Sequence, residues 1–111
     1  MSELAEESRL DEVFHALANR TRRALLRTLS HGPARVTELA EPHGMSVNGI
    51  SKHLFVLERA GLIRRTRNGS VQACVLEASP MAPAEEWIRS YRRFWTGKID
   101  RLAAFVEKRE G

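Results

Sequence analysis

Asn48 and Lys52 stand four residues apart, and their side chains are of the types that read base edges. A side-chain amide can bond bidentately to adenine N6 and N7, and an ammonium can donate to guanine O6 and N7. With Ile50 set at 0° and about 100° per residue on a helix, Asn48, Lys52 and Arg59 fall near 160–200°. Ile50, Leu54 and Leu57 share the opposite, apolar face, flanked at roughly 60° by Val47 on one side and His53 on the other. The spacing therefore predicts one amphipathic helix that turns an amide and two cations outward. Asn48 and Lys52 lie in its first two turns, the part that enters a major groove. Arg59 lies further along and suits a phosphate. Val47 either touches a thymine methyl or extends the core, and His53 is expected half-buried, bonding a phosphate or a backbone group. Gly49 costs a helix interior about 1 kcal/mol relative to Ala. Close approach to a DNA backbone and a tolerated defect near the helix start are both open for it.

A second basic group follows. Arg64, Arg65 and Arg67 precede Asn68-Gly69, and no acidic residue lies between Arg59 and Leu76. In a strand Arg65 and Arg67 share a face while Arg64 points the other way. At the tip of a hairpin, such guanidinium groups lie along phosphates or enter a minor groove.

The elements that must position these residues are legible from periodicity and punctuation. Leu10, Val13, Phe14 and Leu17 mark a first helix, with Ser8 and Asp11 spaced like a capping box. Residues 1–9 read as an N-terminal tail. Asn19 punctuates, and Leu25, Leu26 and Leu29 mark a second helix that His31-Gly32-Pro33 stops. A short helix is expected over Thr37–Glu41, a break at Pro42-His43-Gly44, and a helix capped by Ser46 running to about Ala60. Leu62–Arg67 and Val71–Leu76 read as two strands joined through Asn68-Gly69, a strong hairpin signal. A long helix follows, from about Ala82 to Lys108. The fold class is thus mainly α with a small β-hairpin. It forms one winged helix-turn-helix domain over residues 1–111, with a DNA-binding core at 10–78, a wing at 62–76 and a C-terminal dimerisation helix at 80–108.

Charge supports a polyanionic partner. The chain of 111 residues carries a formal net charge of +4. By segment, residues 1–12 carry −4, residues 13–76 carry +7 and residues 77–111 carry +1. The excess sits on the segment that holds both basic groups. No apolar run approaches membrane-spanning length, and Met1–Glu7 is acidic rather than leader-like, so a cytoplasmic protein is expected.

Leu17-Ala18-Asn19-Arg20-Thr21-Arg22-Arg23 resembles the stretch that opens the second helix in the ArsR/SmtB family of winged-helix regulators. Val36-Thr37-Glu38-Leu39-Ala40, Ser51-Lys52-His53-Leu54 and Val56-Leu57-Glu58-Arg59-Ala60-Gly61-Leu62-Ile63 are similar to its helix-turn-helix region. The resemblance covers roughly residues 10–108. It implies a homodimer that binds an inverted repeat in double-stranded DNA and represses its own or an adjacent operon. Together with the residue reading, it gives a DNA-binding set of Ser46, Val47, Asn48, Ser51, Lys52, His53, Arg59, Arg64, Arg65 and Arg67. Metal-sensing relatives carry a Cys-x-Cys motif where this chain has Thr37-Glu38-Leu39-Ala40, or ligands in the last helix, where no histidine follows His53. Tyr91-Arg92-Arg93-Phe94-Trp95 is similar to a metal-independent branch. No metal and no cofactor are therefore expected, and a small-molecule effector stays open. Position 47, often polar in the family, is Val here, so base contacts do not transfer wholesale.

The last helix has its own pattern. With Tyr91 at 0°, Ala84, Trp87, Ile88, Phe94, Trp95, Ile99, Leu102, Phe105 and Val106 fall within about 80°. Five of the chain's seven aromatics lie there. So long a stripe needs a partner, and the expected dimer interface is Leu10, Phe14, Trp87, Tyr91, Trp95, Leu102 and Phe105. Lys98 falls inside the stripe, either snorkelling or pairing with an acidic residue such as Asp11 or Glu12. Cys74 reads as a buried structural thiol, with a redox role as its alternative. No nucleophile-elbow or phosphate-loop pattern frames the serines and histidines, which argues against an enzyme. The competing reading is a winged-helix module that binds RNA or a protein.

Overall fold

The computed structural model describes residues 3–110. Helix α1 spans Glu3–Leu17 and α2 spans Arg20–Leu29. Strand β1, Ala34–Arg35, leads directly into α3, Val36–Ala40. A 3-10 turn at Glu41–His43 precedes α4, Val47–Arg59. Strands β2, Ile63–Asn68, and β3, Val71–Leu76, form the wing, and α5 runs from Met81 to Glu110.

Local chemistry explains most boundaries. Asn19 caps α2, its Oδ1 accepting from the Arg22 backbone N–H at 3.1 Å. Glu38 closes the start of α3 by accepting from the Arg35 backbone N–H at 2.9 Å. Gly44, at φ +61°, ends the 3-10 turn in the left-handed region that its missing Cβ permits. Ser46 then caps α4, its Oγ accepting from the Gly49 N–H at 3.0 Å.

Three details depart from the sequence expectation. The tail expected at 1–9 is helical from Glu3 onward, its first two residues lying outside the described ones. Glu3–Glu7 contains only good helix formers, so nothing stops α1 there, and Ser8 lies inside the helix rather than capping it. The sheet has three strands in the order β1-β3-β2, because Ala34 pairs with Cys74 and Arg35 with Ala73. Two residues are too short to show a period, so β1 left no signal. The hairpin turn sits one residue later than Asn68-Gly69 implies. Asn68 pairs with Val71, leaving Gly69-Ser70 as the two central residues, and only Gly69 has positive φ, +65°. Glycine at the first central position suits a II′ turn.

One core joins these elements. Leu25, Ile50, Leu54, Leu57 and Leu62 are fully buried, with Val13, Leu39, Ile63 and Cys74 beside them. Each such side chain contributes about 1.5–3 kcal/mol through burial. The core holds α4 by its Ile50, Leu54 and Leu57 stripe, which fixes the opposite face outward. Helix α5 leaves this core early: Ala84 is buried, but Trp87 and the apolar residues beyond it are exposed. The molecule measures 70 × 38 × 21 Å as a result.

Candidate nucleic-acid interface

Helix α4 presents the expected edge. Ser46, Val47, Asn48 and Lys52 are exposed and Ser51 is half-buried. Among the described residues, the side chains of Asn48 and Lys52 form no hydrogen bond or ion pair, so their polar groups face water or a ligand. Gly49 gains a structural reason that its sequence did not suggest. A Cβ there would stand 3.3 Å from Ser46 Oγ, the atom that caps its own N–H. The helix start is tight around that cap.

The wing separates its three arginines. Ile63, Arg65 and Arg67 point to the side of β2 that carries Cys74 on β3, and that side faces the core near the strand's start. Arg65 therefore lies against α4. Its Nη2 donates to the Ser51 carbonyl at 2.9 Å, and its Nε is 3.6 Å from Glu58 Oε1. That second distance is an ion pair but too long for a good hydrogen bond, and Nε is buried without a hydrogen-bond partner. Arg64, on the other side, donates to Glu77 at 2.6 Å. Arg67, near the tip, is exposed and forms no ion pair among the described residues. Of three guanidinium groups expected on phosphates, one stands free. The acidic partners lie just outside the acid-free stretch, at 58 and 77.

Arg59 has an acidic neighbour within the chain. It reaches back to Glu12 on α1 at 3.5 Å, from the C-terminal end of α4. Twelve residues of helix place it about 18 Å from Val47 along the axis. It ties α1 to α4 at the end remote from Asn48.

His53 is half-buried as expected, and within the chain it meets a side chain rather than the backbone. Arg22 Nη1 lies 3.3 Å from His53 Nδ1. Arg22 is 9% exposed, and its Nε and Nη2 donate to the Ala16 and His15 carbonyls at 2.8 and 2.9 Å. It thereby satisfies carbonyls at the open end of α1. Burial, then the charges of Arg22 and His43, lower the His53 pKa below its ordinary value. Sequence reasoning did not assign Arg22 a role. The available signal was its place three, four and seven residues before Leu25, Leu26 and Leu29, on the buried face of α2.

The last helix carries a continuous aromatic ladder. Trp87 meets Phe14 edge-on at 5.6 Å and stacks on Tyr91 at 5.1 Å; Tyr91 meets Trp95 at 5.8 Å. Leu10 and Phe14 pack against the core, while Trp87, Tyr91, Trp95, Leu102 and Phe105 are all exposed. Lys98 lies over the Phe94 ring at 4.9 Å rather than pairing with Asp11 or Glu12. Glu12 is taken by Arg59. Cys74 is fully buried, and that burial raises its thiol pKa, with Arg65 opposing and Glu58 adding to the shift. A protonated, enclosed thiol is unreactive. Among the described residues no group of three His, Cys, Asp or Glu could hold a metal, and no helix is long and apolar enough to cross a membrane.

Comparison with known proteins agrees with this geometry. Residues 17–66 match the family described as helix-turn-helix domain. The chain is 33% identical over 97 residues to the HTH-type transcriptional regulator Rv2034 of Mycobacterium tuberculosis, covering 87% of this chain and 88% of the relative. The crystal structure of an ArsR family transcriptional regulator, RHA00566, superposes with a TM-score of 0.75 at 40% identity, over 81% of this chain and 93% of that one. The homodimeric winged helix-turn-helix DNA-binding domain of Mb0332 from Mycobacterium bovis, solved by NMR, superposes at 0.66 with 25% identity, over 84% and 88%.

Proposed function

From the premise that this chain belongs to the ArsR family of winged helix-turn-helix transcriptional regulators, we propose that it is a homodimeric, sequence-specific DNA-binding repressor. It acts in the cytoplasm on an inverted repeat at its own or an adjacent operon. The observation that carries this reading is the pair Asn48 and Lys52, exposed and without a partner among the described residues, on a capped helix whose other face is locked in the core. Ser46, Val47 and Ser51 border them at the same helix end, and the exposed Arg67 flanks them on a wing that Arg65 holds against α4. Asn48 and Lys52 read bases, Arg67 meets phosphate, and Arg64, Arg65 and Arg59 shape the surface rather than touch DNA.

Two such helices must be presented together, and the exposed stripe of α5 is the surface that pairs the subunits. The homodimeric state of the Mb0332 domain supports a dimer, and the exposed apolar stripe supports α5 as its seam. A two-fold dimer places its recognition helices about 34–36 Å apart, one turn of the duplex, so the operator is palindromic. Repression follows from occupancy, since a dimer across a promoter excludes polymerase. Thr37-Glu38-Leu39-Ala40 and the lack of a histidine after His53 support a member of the branch without metal ligands.

The test is binding of the purified protein to the duplex upstream of its own reading frame, with random duplex and double-stranded RNA as competitors. Tight binding that random DNA competes poorly, at two protomers per site, is expected. Equal competition by the RNA duplex would sink the proposal, because its narrow major groove excludes a helix.

A further inference from the structure

We propose that Arg22 is a positioning residue that locks His53 in the tautomer with its proton on Nε2, so that this N–H donates to a backbone phosphate of bound DNA. The inference rests on the DNA-binding role proposed above. It chooses the phosphate from the alternatives open for His53 and adds Arg22 as the device that presents the donor.

A guanidinium has five N–H groups and no acceptor, so a bond between Arg22 Nη1 and His53 Nδ1 requires a lone pair on Nδ1. The proton of the neutral ring is then on Nε2. Arg22 has little freedom to turn away, because its side chain is buried and two further bonds hold it to the Ala16 and His15 carbonyls. The imidazolium form is opposed from both neighbouring elements: it would put a second cation 3.3 Å from Arg22 of α2, with His43 of the 3-10 turn also near. Burial acts in the same direction. Nδ1 and Nε2 lie on opposite sides of Cε1, so a ring that turns Nδ1 to Arg22 turns Nε2 away from it. His53 is half-buried, and its Nε2 has no partner among the described residues. It follows Lys52 directly, at the border between the buried stripe and the exposed face.

A neutral N–H differs from a lysine in what it does at a phosphate. It adds a hydrogen bond to a charged acceptor but releases no counterion, so it strengthens binding without steepening the salt dependence. It also reads no base, so the gain is the same on any sequence.

The experiment has two parts on the full chain. First, long-range proton–nitrogen correlation spectra of the free protein report which His53 nitrogen is protonated. A protonated Nε2 and a bare Nδ1 are expected. In Arg22→Gln, whose amide can both donate and accept, both tautomers should populate. Second, His53→Gln and His53→Asn are compared in binding to random-sequence duplex across a salt series. A Gln amide reaches the place of Nε2, whereas an Asn amide reaches only that of Nδ1. His53→Gln should bind like wild type, and His53→Asn about tenfold more weakly with an unchanged salt slope, the size of one bond to a charged acceptor. A proton on Nδ1 in the wild-type spectrum, or equal binding by the Asn and Gln variants, would overturn the proposal, whether or not Arg22→Gln folds. If the wild type binds no duplex at all, the DNA-binding reading and the phosphate contact fall together. The spectrum then still decides the tautomer.

Discussion

Arg65 and Ser51 meet across two elements: the arginine Nη2 of the wing donates to a mid-helix carbonyl of α4 at 2.9 Å. With Glu58 one side and Ser51 the other, the guanidinium spans two turns of the recognition helix. The angle between wing and helix is therefore set by a charged bond, not only by the loop at residues 60–62. Arg65→Ala should cost about 1.5–3 kcal/mol, the worth of a hydrogen bond to a charged group at a half-buried site. Arg64→Ala, whose pair with Glu77 is exposed, should cost at most about 1 kcal/mol. Urea midpoints of the two variants check this. A smaller loss at 65 than at 64 would mean that the Ser51 contact contributes nothing.

DNA variants should sort by role. Asn48→Ala is expected to lose about 1–3 kcal/mol on the operator and far less on random duplex. Arg67→Ala should weaken both similarly and flatten the salt dependence. Equal losses for Asn48→Ala on both DNAs, measured by fluorescence anisotropy, would place the base-reading face elsewhere.

The dimer should fail through α5. Trp95→Asp or Leu102→Asp puts a charge into the exposed stripe and should give monomers or insoluble chain. Sedimentation at micromolar concentration reads the outcome. A wild-type monomer under those conditions would remove the interface assigned to Trp87, Tyr91, Trp95, Leu102 and Phe105.

The start of α4 offers a double-mutant cycle. Gly49→Ala would normally gain up to about 1 kcal/mol from helix propensity. Here the new Cβ meets Ser46 Oγ at 3.3 Å, so the gain should vanish or reverse. Ser46→Ala alone should cost about 1 kcal/mol by removing the cap. With the hydroxyl gone, Gly49→Ala should become stabilising. Additive effects in thermal unfolding would show that the crowding is immaterial.

Acid should expose His53. Its folded pKa is lowered, first by burial and then by Arg22 and His43, from an ordinary value of 6.5. The unfolded chain therefore takes up a proton that the folded chain resists. That contribution to stability is fully present above the unfolded value and is lost as pH falls through the folded one. His53→Gln removes the titration. Its stability should fall less steeply than that of wild type on the acid side, as urea unfolding at several pH values would show.

What could be read along the chain was whatever depends on neighbours a few residues away. Asn19 and Ser46 cap because a side-chain oxygen reaches an N–H three residues on. Ile50, Leu54 and Leu57 are buried because their spacing matches a helix. The Asn-Gly signal found the hairpin, though one residue early, since either half of the pair admits positive φ. Asn48 and Lys52 were placed outward by the same periodicity.

Tertiary structure decided which charges are free. Counting acids between Arg59 and Leu76 gave three available wing arginines, but pairing depends on distance across elements, and Glu58 and Glu77 lie within reach of two of them. Arg59 is likewise committed to Glu12, which is distant in sequence. β1 exists only because β3 has an edge for Ala34 and Arg35 to pair with. The Arg22–His53 contact joins residues 31 apart in sequence. Its halves sit in separate motifs, and neither spacing nor charge links them until α2 and α4 pack on one core.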